Sequence, residues 1–272
     1  MDYDVAMLSG LTLKVVEVAR LTGRFLLNER LVFDRSRVEE KNLHDYVSYV
    51  DRESERRLVD SLSVLLPGAG FITEEETVSY RGEACLWIID PLDGTTNYVH
   101  DQPPYAVSIA LYGRSAGLLL GVVYEPCRDE CFYAWKGGKA FMNGEEIHVS
   151  NVEDIKDAFV ITELPYNHLQ YKQTALHLID QLYGVVGGIR MNGSAAAAIC
   201  YVAIGRFDAW MEAFLGKWDY SAAALIVQEA GGKVTDFYGE DHFIEGHHII
   251  ATNGNLHPFF QKLLAEVPPL NM

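Results

Sequence analysis

One stretch constrains this chain more than any other: Leu86-Trp87-Ile88-Ile89-Asp90-Pro91-Leu92-Asp93-Gly94-Thr95-Thr96-Asn97. The apolar run predicts a short buried strand. Its C-terminal end delivers two carboxylates three residues apart. Pro91 stiffens the turn expected between them. Gly94 allows a backbone geometry that a side chain would hinder, and close approach of a ligand. Thr95, Thr96 and Asn97 suit the cap of a following helix, whose free N–H groups would face an anion. Hard cations take carboxylate and main-chain carbonyl oxygens. A metal and a phosphate could therefore both be served within one turn. Taken alone, the segment also suits a plain strand-to-helix turn capped by Asp and Thr.

Around it the hydrophobic pattern changes period. Leu8, Leu11, Val15, Val18, Thr22 and Phe25 recur every three or four residues, which predicts an amphipathic helix. A polar stretch follows, Asp34 to Tyr49. A second helix is expected from about Asp51, with Leu58, Leu62 and Leu65 on one side, ending at Pro67-Gly68. From Phe71 the pattern turns to strands. Residues 105–113, 117–124, 130–135 and 139–149 suggest an antiparallel meander. Beyond residue 150, strands and helices alternate: a strand from Ala158 to Glu163, then a helix from Tyr171 to Tyr183. An Ala-rich helix from Ser194 to Ile204 and a strand from Phe207 to Ala213 come next. A helix from Trp218 to Glu229, two more strands and a terminal helix complete the chain. Such mixing implies layered sheets and helices.

Bulk properties exclude several functions. With 272 residues the chain forms one large domain or two small, intimately packed ones. No apolar run approaches the ~20 residues of a membrane span, and no secretory signal is expected from the acidic start. A net charge of -16 argues against nucleic acid as the main partner. It also poses a puzzle for binding anionic substrates, which bound cations resolve because they invert local electrostatics. Cys85, Cys127, Cys131 and Cys200 are expected to be reduced thiols of a cytoplasmic protein, without zinc-finger spacing.

Other carboxylates join the first pair. Glu74-Glu75-Glu76 follows Phe71-Ile72-Thr73, and could equally be a solvated acidic loop. Trp218-Asp219 opens a helix, where Asp is also an ordinary cap. Gly193-Ser194-Ala195-Ala196 opens another with small residues that leave its N–H groups accessible to an anion. His247 and His248 are adjacent in a strand, so they point to opposite faces and do not share a metal.

Together, Phe71-Ile-Thr-Glu74-Glu, Trp87-Ile-Ile-Asp90-Pro-Leu-Asp93-Gly-Thr-Thr-Asn-Tyr-Val-His100 and Trp218-Asp219-Tyr-Ser-Ala-Ala resemble the inositol monophosphatase family of metal-dependent, lithium-sensitive phosphatases. The similarity runs in order over nearly the whole chain and includes Val47-Ser-Tyr-Val-Asp51, Gly193-Ser-Ala195 and Glu229-Ala-Gly-Gly232. The resemblance implies an α/β layered sandwich of alternating helix and sheet layers, as in inositol monophosphatase and fructose-1,6-bisphosphatase. An N-terminal α+β half, 1–150, would carry Asp51, Glu74, Asp90, Asp93 and Thr95. A C-terminal α/β half, 151–272, would carry Gly193–Ala195, Glu212 and Asp219. A homodimer is also implied.

Residue roles follow from the same resemblance. Glu74, Asp90 and the Leu92 carbonyl would bind one Mg²⁺; Asp90, Asp93 and Asp219 a second; Glu74 would help hold a third through water. Asp51 and Thr95 would orient or deprotonate the attacking water, with Glu74 as another proton acceptor. The N–H groups of Gly94 and Thr95 would hold phosphate. Asp93, Gly193, Ser194, Ala195, Glu212 and Asp219 would contact the substrate, and Lys41 matches a family lysine near the mobile metal loop. Thr73 stands where the family often has Gly, and Ser48 where Thr is common. The activity implied is hydrolysis of a phosphate monoester by metal-activated water, foremost myo-inositol 1-phosphate. Fructose 1,6-bisphosphate, histidinol phosphate and 3′-phosphoadenosine 5′-phosphate are the alternatives, followed by a regulatory binding protein on the same fold.

Overall fold

In the computed structural model, residues 4–42, 45–165, 168–241 and 243–267 are described, without the side chains of 37, 40–42 and 45–47. Helix α1, Val5–Arg30, begins at Asp4, whose carboxylate accepts from the Ala6 N–H. Its buried stripe of Leu8, Leu11, Val15, Ala19, Thr22 and Leu26 has the expected helical spacing. Strands β1 (Glu39–Asn42) and β2 (Asp45–Val47) form a small antiparallel ribbon within the polar stretch. Helix α2, Tyr49–Leu65, starts before Asp51 because Ser48 caps it: Ser48 Oγ accepts from the Val50 N–H at 3.1 Å, and Asp51 accepts from the Ser48 N–H at 2.9 Å.

A seven-stranded sheet follows. It comprises β3 (Gly70–Thr73), β4 (Cys85–Asp93), β5 (Ala106–Gly113), β6 (Gly117–Glu125), β7 (Glu130–Trp135), β8 (Ala140–Met142) and β9 (Glu145–Ile147), paired in chain order. The first pair is parallel and the rest form the expected antiparallel meander. Residues 139–149 form two strands rather than one. Asn143 and Gly144 both take positive φ, 51° and 96°, which is the tight-hairpin turn that an Asn-Gly pair favours. The short helix α3, Thr95–His100, leaves β4.

The second sheet comprises β10 (Phe159–Thr162), β11 (Gly188–Arg190), β12 (Ala209–Ala213), β13 (Lys233–Thr235) and β14 (His248–Thr252), in the order β11-β10-β12-β14-β13. Helices α4 (Lys172–Leu182), α5 (Ala195–Ala203), α6 (Lys217–Glu229) and α7 (His257–Ala265) connect and cover it. The three-residue edge strand β11 was not expected. All four cysteines are free. Among the described residues, no helix is long and apolar enough to cross a membrane. His247 and His248 bond apart, His247 Nδ1 with the Leu215 carbonyl and His248 Nδ1 with the Phe237 N–H.

The layers run α1 and α2, seven-stranded sheet, α5 and α6, five-stranded sheet, α4 and α7. Side-chain alternation in β4 builds two of these contacts: Trp87 and Ile89 join the core under α1 and α2, and Ile88 joins the core around α5 and α6. Small residues let the middle layer sit close. At Gly121 of β6 an added Cβ would stand 2.3 Å from the Ala222 carbonyl oxygen of α6. Because the obstacle is backbone, it cannot swing aside. Gly121→Ala is therefore expected to destabilise the fold by roughly 1–3 kcal/mol in urea unfolding, and an unchanged midpoint would contradict this packing.

Candidate metal centre and active site

The two carboxylates of the central motif are brought together by an irregularity in β4. Asp90 pairs with Ser108 and Asp93 with Ala106, so three steps on β4 oppose two on β5. Residues three apart in a regular strand face opposite sides. The extra residue of the bulge returns both carboxylates to one side. The strand thus runs through Pro91 to Asp93, where a turn was expected after Asp90. A bulge is a place where a strand tolerates proline's missing N–H.

Asp219 arrives from α6. It is the third residue of α6, and its Oδ2 accepts from the Gly216 N–H at 2.7 Å. It is both a helix cap and a site residue. Oxygens of Asp90, Asp93 and Asp219 lie within 4.8 Å of one another. Asp90 is 1% exposed and Asp93 6%. Burial, then the charges of Glu74, Asp93 and Asp219, push the Asp90 carboxyl well above its ordinary range. Glu74 therefore belongs to the same electrostatic cluster. Among the described residues, the largest influences on Asp90 include three carboxylates and no cation.

The α5 N-terminus, expected to receive a ligand anion, holds an anion of the chain itself. The Ala195 and Ala196 N–H groups donate to Asp93 at 3.1 and 2.9 Å, and the Ser194 hydroxyl donates to Asp93 Oδ2. Even so, burial keeps the Asp93 carboxyl at about 6. Gly94 takes φ +87°, and a Cβ there would meet the Gly193 carbonyl at 3.1 Å. Asn97 Nδ2 donates to the Pro104 and Asn192 carbonyls at 2.7 and 2.8 Å, tying α3 to the 192–194 loop.

Beside the cluster, Thr95 Oγ1 lies 2.9 Å from Asp51 Oδ1 and 3.1 Å from the Leu92 carbonyl. Asp51 is fully buried, and this burial raises its carboxyl despite the donors from Ser48 and Thr95. On the far side stand two more carboxylates. Glu163 accepts from the Asn192 and Gly193 N–H groups at 2.7 and 3.2 Å, and burial raises it to about 7. Glu212 is raised well above its ordinary range by burial and by Glu163, Asp219 and Asp93.

Such a set suits a divalent cation. The donors are all oxygens, which hard ions prefer, and the charge on Asp90 is disfavoured by burial and by Glu74, Asp93 and Asp219 until positive charge arrives. The side chain of Lys41 lies outside the described residues.

The model of the inositol monophosphatase family matches residues 9–268. The chain belongs to this family. Nus factor SuhB of Pseudomonas aeruginosa is 38% identical over 259 residues, covering 93% of this chain and 94% of that protein. Inositol-1-monophosphatase of Caulobacter vibrioides is 36% identical, covering 90% and 96%. Among solved structures, the extragenic suppressor protein suhB of Bartonella henselae superposes with a TM-score of 0.87 at 36% identity, covering 93% and 97%. The IMPase of Thermotoga maritima gives 0.84 at 33%, covering 93% and 95%. Family membership makes the chain a metal-dependent phosphatase by descent, in the α/β layered sandwich that the resemblance implied.

Two buried acidic residues, beside the cluster or under its loop, were not anticipated. Glu163 follows a strand of apolar residues, where a lone acid is a signal in itself. Glu55 shares the stripe Asp51, Glu55, Leu58, Leu62 of α2, and all four are fully buried.

The shifted groups also set how stability depends on pH. In the unfolded chain Asp93 and Glu163 would titrate near ~4. Raised in the folded chain, they retain protons that the unfolded chain has already released. Their contribution to stability is therefore full at low pH and is lost as pH rises through about 6 and about 7. The melting temperature of chelated protein should fall between about pH 5 and about pH 8, and excess divalent cation should shrink that fall. A rise over this window would refute the assignment.

Proposed function

We propose that this chain hydrolyses the phosphate monoester of a neutral polyol, foremost myo-inositol 1-phosphate, with two or three Mg²⁺ ions as cofactor. One observation carries the reading. The Thr95–Asp51 hydrogen bond stands beside the convergence of Asp90, Asp93 and Asp219. A proton acceptor for water and a carboxylate set for cations thus share one site. Glu74, Asp90 and the Leu92 carbonyl would hold one ion, and Asp90, Asp93 and Asp219 another. Bound there, divalent ions would supply positive charge to the phosphoryl and leaving oxygens and acidify water.

The chain's own groups do the rest. The N–H groups of Gly94 and Thr95 open α3, where a helix has no internal acceptors for them, and are available to phosphate oxygens. Thr95 and Asp51 hold the water in line and take its proton, with Glu74 as a further acceptor. The bond from phosphorus to the ester oxygen breaks as the bond to the water oxygen forms. The leaving oxygen takes a proton from solvent water, and the alcohol departs on the side of Glu212, Gly193, Ser194 and Ala195.

Charge on that side narrows the substrate. Glu163 and Glu212 offer no positive charge to pair with a second phosphate, which disfavours fructose 1,6-bisphosphate and 3′-phosphoadenosine 5′-phosphate. Carboxylates also accept hydroxyl or ammonium donors. Inositol 1-phosphate is thereby favoured, and histidinol phosphate is kept as the second enzymatic reading. Several relatives, the Pseudomonas aeruginosa protein among them, bear the name Nus factor SuhB. Here the complete carboxylate set supports catalysis, and the net charge of -16 disfavours direct contact with nucleic acid. Homodimeric assembly in the cytoplasm and sensitivity to Li⁺ complete the proposal.

Phosphate release from a panel of these esters, with Mg²⁺ and with added Li⁺, tests the reading. Inositol 1-phosphate should be turned over fastest, and Thr95→Ala should lower kcat by about 100-fold or more. Release from none of the esters would sink the catalytic proposal, and a preference for histidinol phosphate would replace the substrate.

A further inference from the structure

Helix α2 turns two carboxylates into the core one helical turn apart. Asp51 meets Thr95. Glu55, 0% exposed, meets the loop after Glu74: its Oε2 accepts from the Glu75 N–H at 2.8 Å, and its Oε1 accepts from the Thr77 N–H and hydroxyl at 2.9 and 2.6 Å. Glu74 therefore lies between two anchors. On its N-terminal side, β3 ends at Thr73, paired with Ile89 next to Asp90. On its C-terminal side, Glu55 grips the main chain. The loop is held through its main chain, while Glu76 and Thr77 stay exposed.

Repulsion explains why such a grip is needed. Parallel pairing of β3 with β4, Thr73 opposite Ile89, brings Glu74 beside Asp90, and two carboxylates so placed push apart when no cation lies between them. Left alone, the loop would relieve this by moving outward. Three charge-assisted hydrogen bonds to a buried carboxylate oppose that motion. An amide could not replace them. Gln offers one acceptor oxygen, and its NH₂ group would face N–H donors.

We infer that Glu55 is a positioning residue that holds the Glu74 arm against repulsion and so sets the affinity of the centre for divalent cation. The inference rests on the reading of Glu74 as a metal ligand. Through α2, the same helix sets the spacing between that arm and the Asp51–Thr95 pair.

The test is Mn²⁺ binding to the full chain, by calorimetry and by electron paramagnetic resonance of the free ion, with kcat measured in saturating Mg²⁺. Glu55→Gln should weaken at least one Mn²⁺ site by about tenfold or more while kcat stays within about threefold of wild type. Leu58→Ala removes a fully buried side chain of the same stripe, three residues along from Glu55. It should lower the melting temperature and leave Mn²⁺ affinity unchanged. Should Glu55→Gln fail to fold, Glu55→Asp keeps the charge with a shorter reach and should show the same loss of affinity. Wild-type affinity in the folded Glu55 variant, or an equal loss in Leu58→Ala, overturns the inference. A wild-type chain that binds no Mn²⁺ overturns the metal-centre reading instead.

Discussion

Mutual repulsion among buried carboxylates is the constraint around which this molecule is organised. Oxygens of Asp90, Asp93 and Asp219 lie within 4.8 Å of one another, and Glu74 adds its charge to Asp90. Placing like charges together in a poorly solvated site is unfavourable in proportion to their proximity and burial. A chain that served stability alone would separate them. This one holds them in place: Asp90 accepts from the Leu92 N–H, Asp93 is fastened to the start of α5, Asp219 to the start of α6, and the main chain after Glu74 to the Glu55 carboxylate.

The layered architecture makes this possible. The seven-stranded sheet brings Asp90 and Asp93 to the end of β4, and the helices between the sheets present their N-terminal turns to the same place. Helix N-termini stabilise negative charge through their free N–H groups. Segments distant in the chain are also stitched directly, by Asn97 to the Asn192 carbonyl and by the Ser108 hydroxyl to the Trp218 carbonyl at 3.1 Å. The resulting site is rigid in its carboxylates and short of positive charge, which a cation can complete. An acidic protein can bind a phosphate ester in this way without a basic surface.

Much of this was legible in the chain. The stripes of α1 and α2, the meander and the alternating second half follow from periodicity, because burial imposes it. Asp90, Asp93 and Asp219 stand out by their motifs. What stayed hidden depends on contacts distant in sequence or on single-residue register. The bulge at Pro91 is invisible to a two-residue period. The Asn143-Gly144 turn splits a run that composition alone leaves continuous. The α5 N-terminus looked free because its partner, Asp93, lies about a hundred residues away in the chain. Glu163 and Glu55 carried a usable signal, an acid in an apolar setting, whose meaning required the loops that they hold.

Anomalous diffraction from crystals soaked in Mn²⁺ addresses the central claim most directly. The account predicts strong peaks in contact with Asp90, shared with Glu74 on one side and with Asp93 and Asp219 on the other. No peak at these carboxylates under saturating Mn²⁺, or strong peaks only elsewhere on the acidic surface, would contradict it.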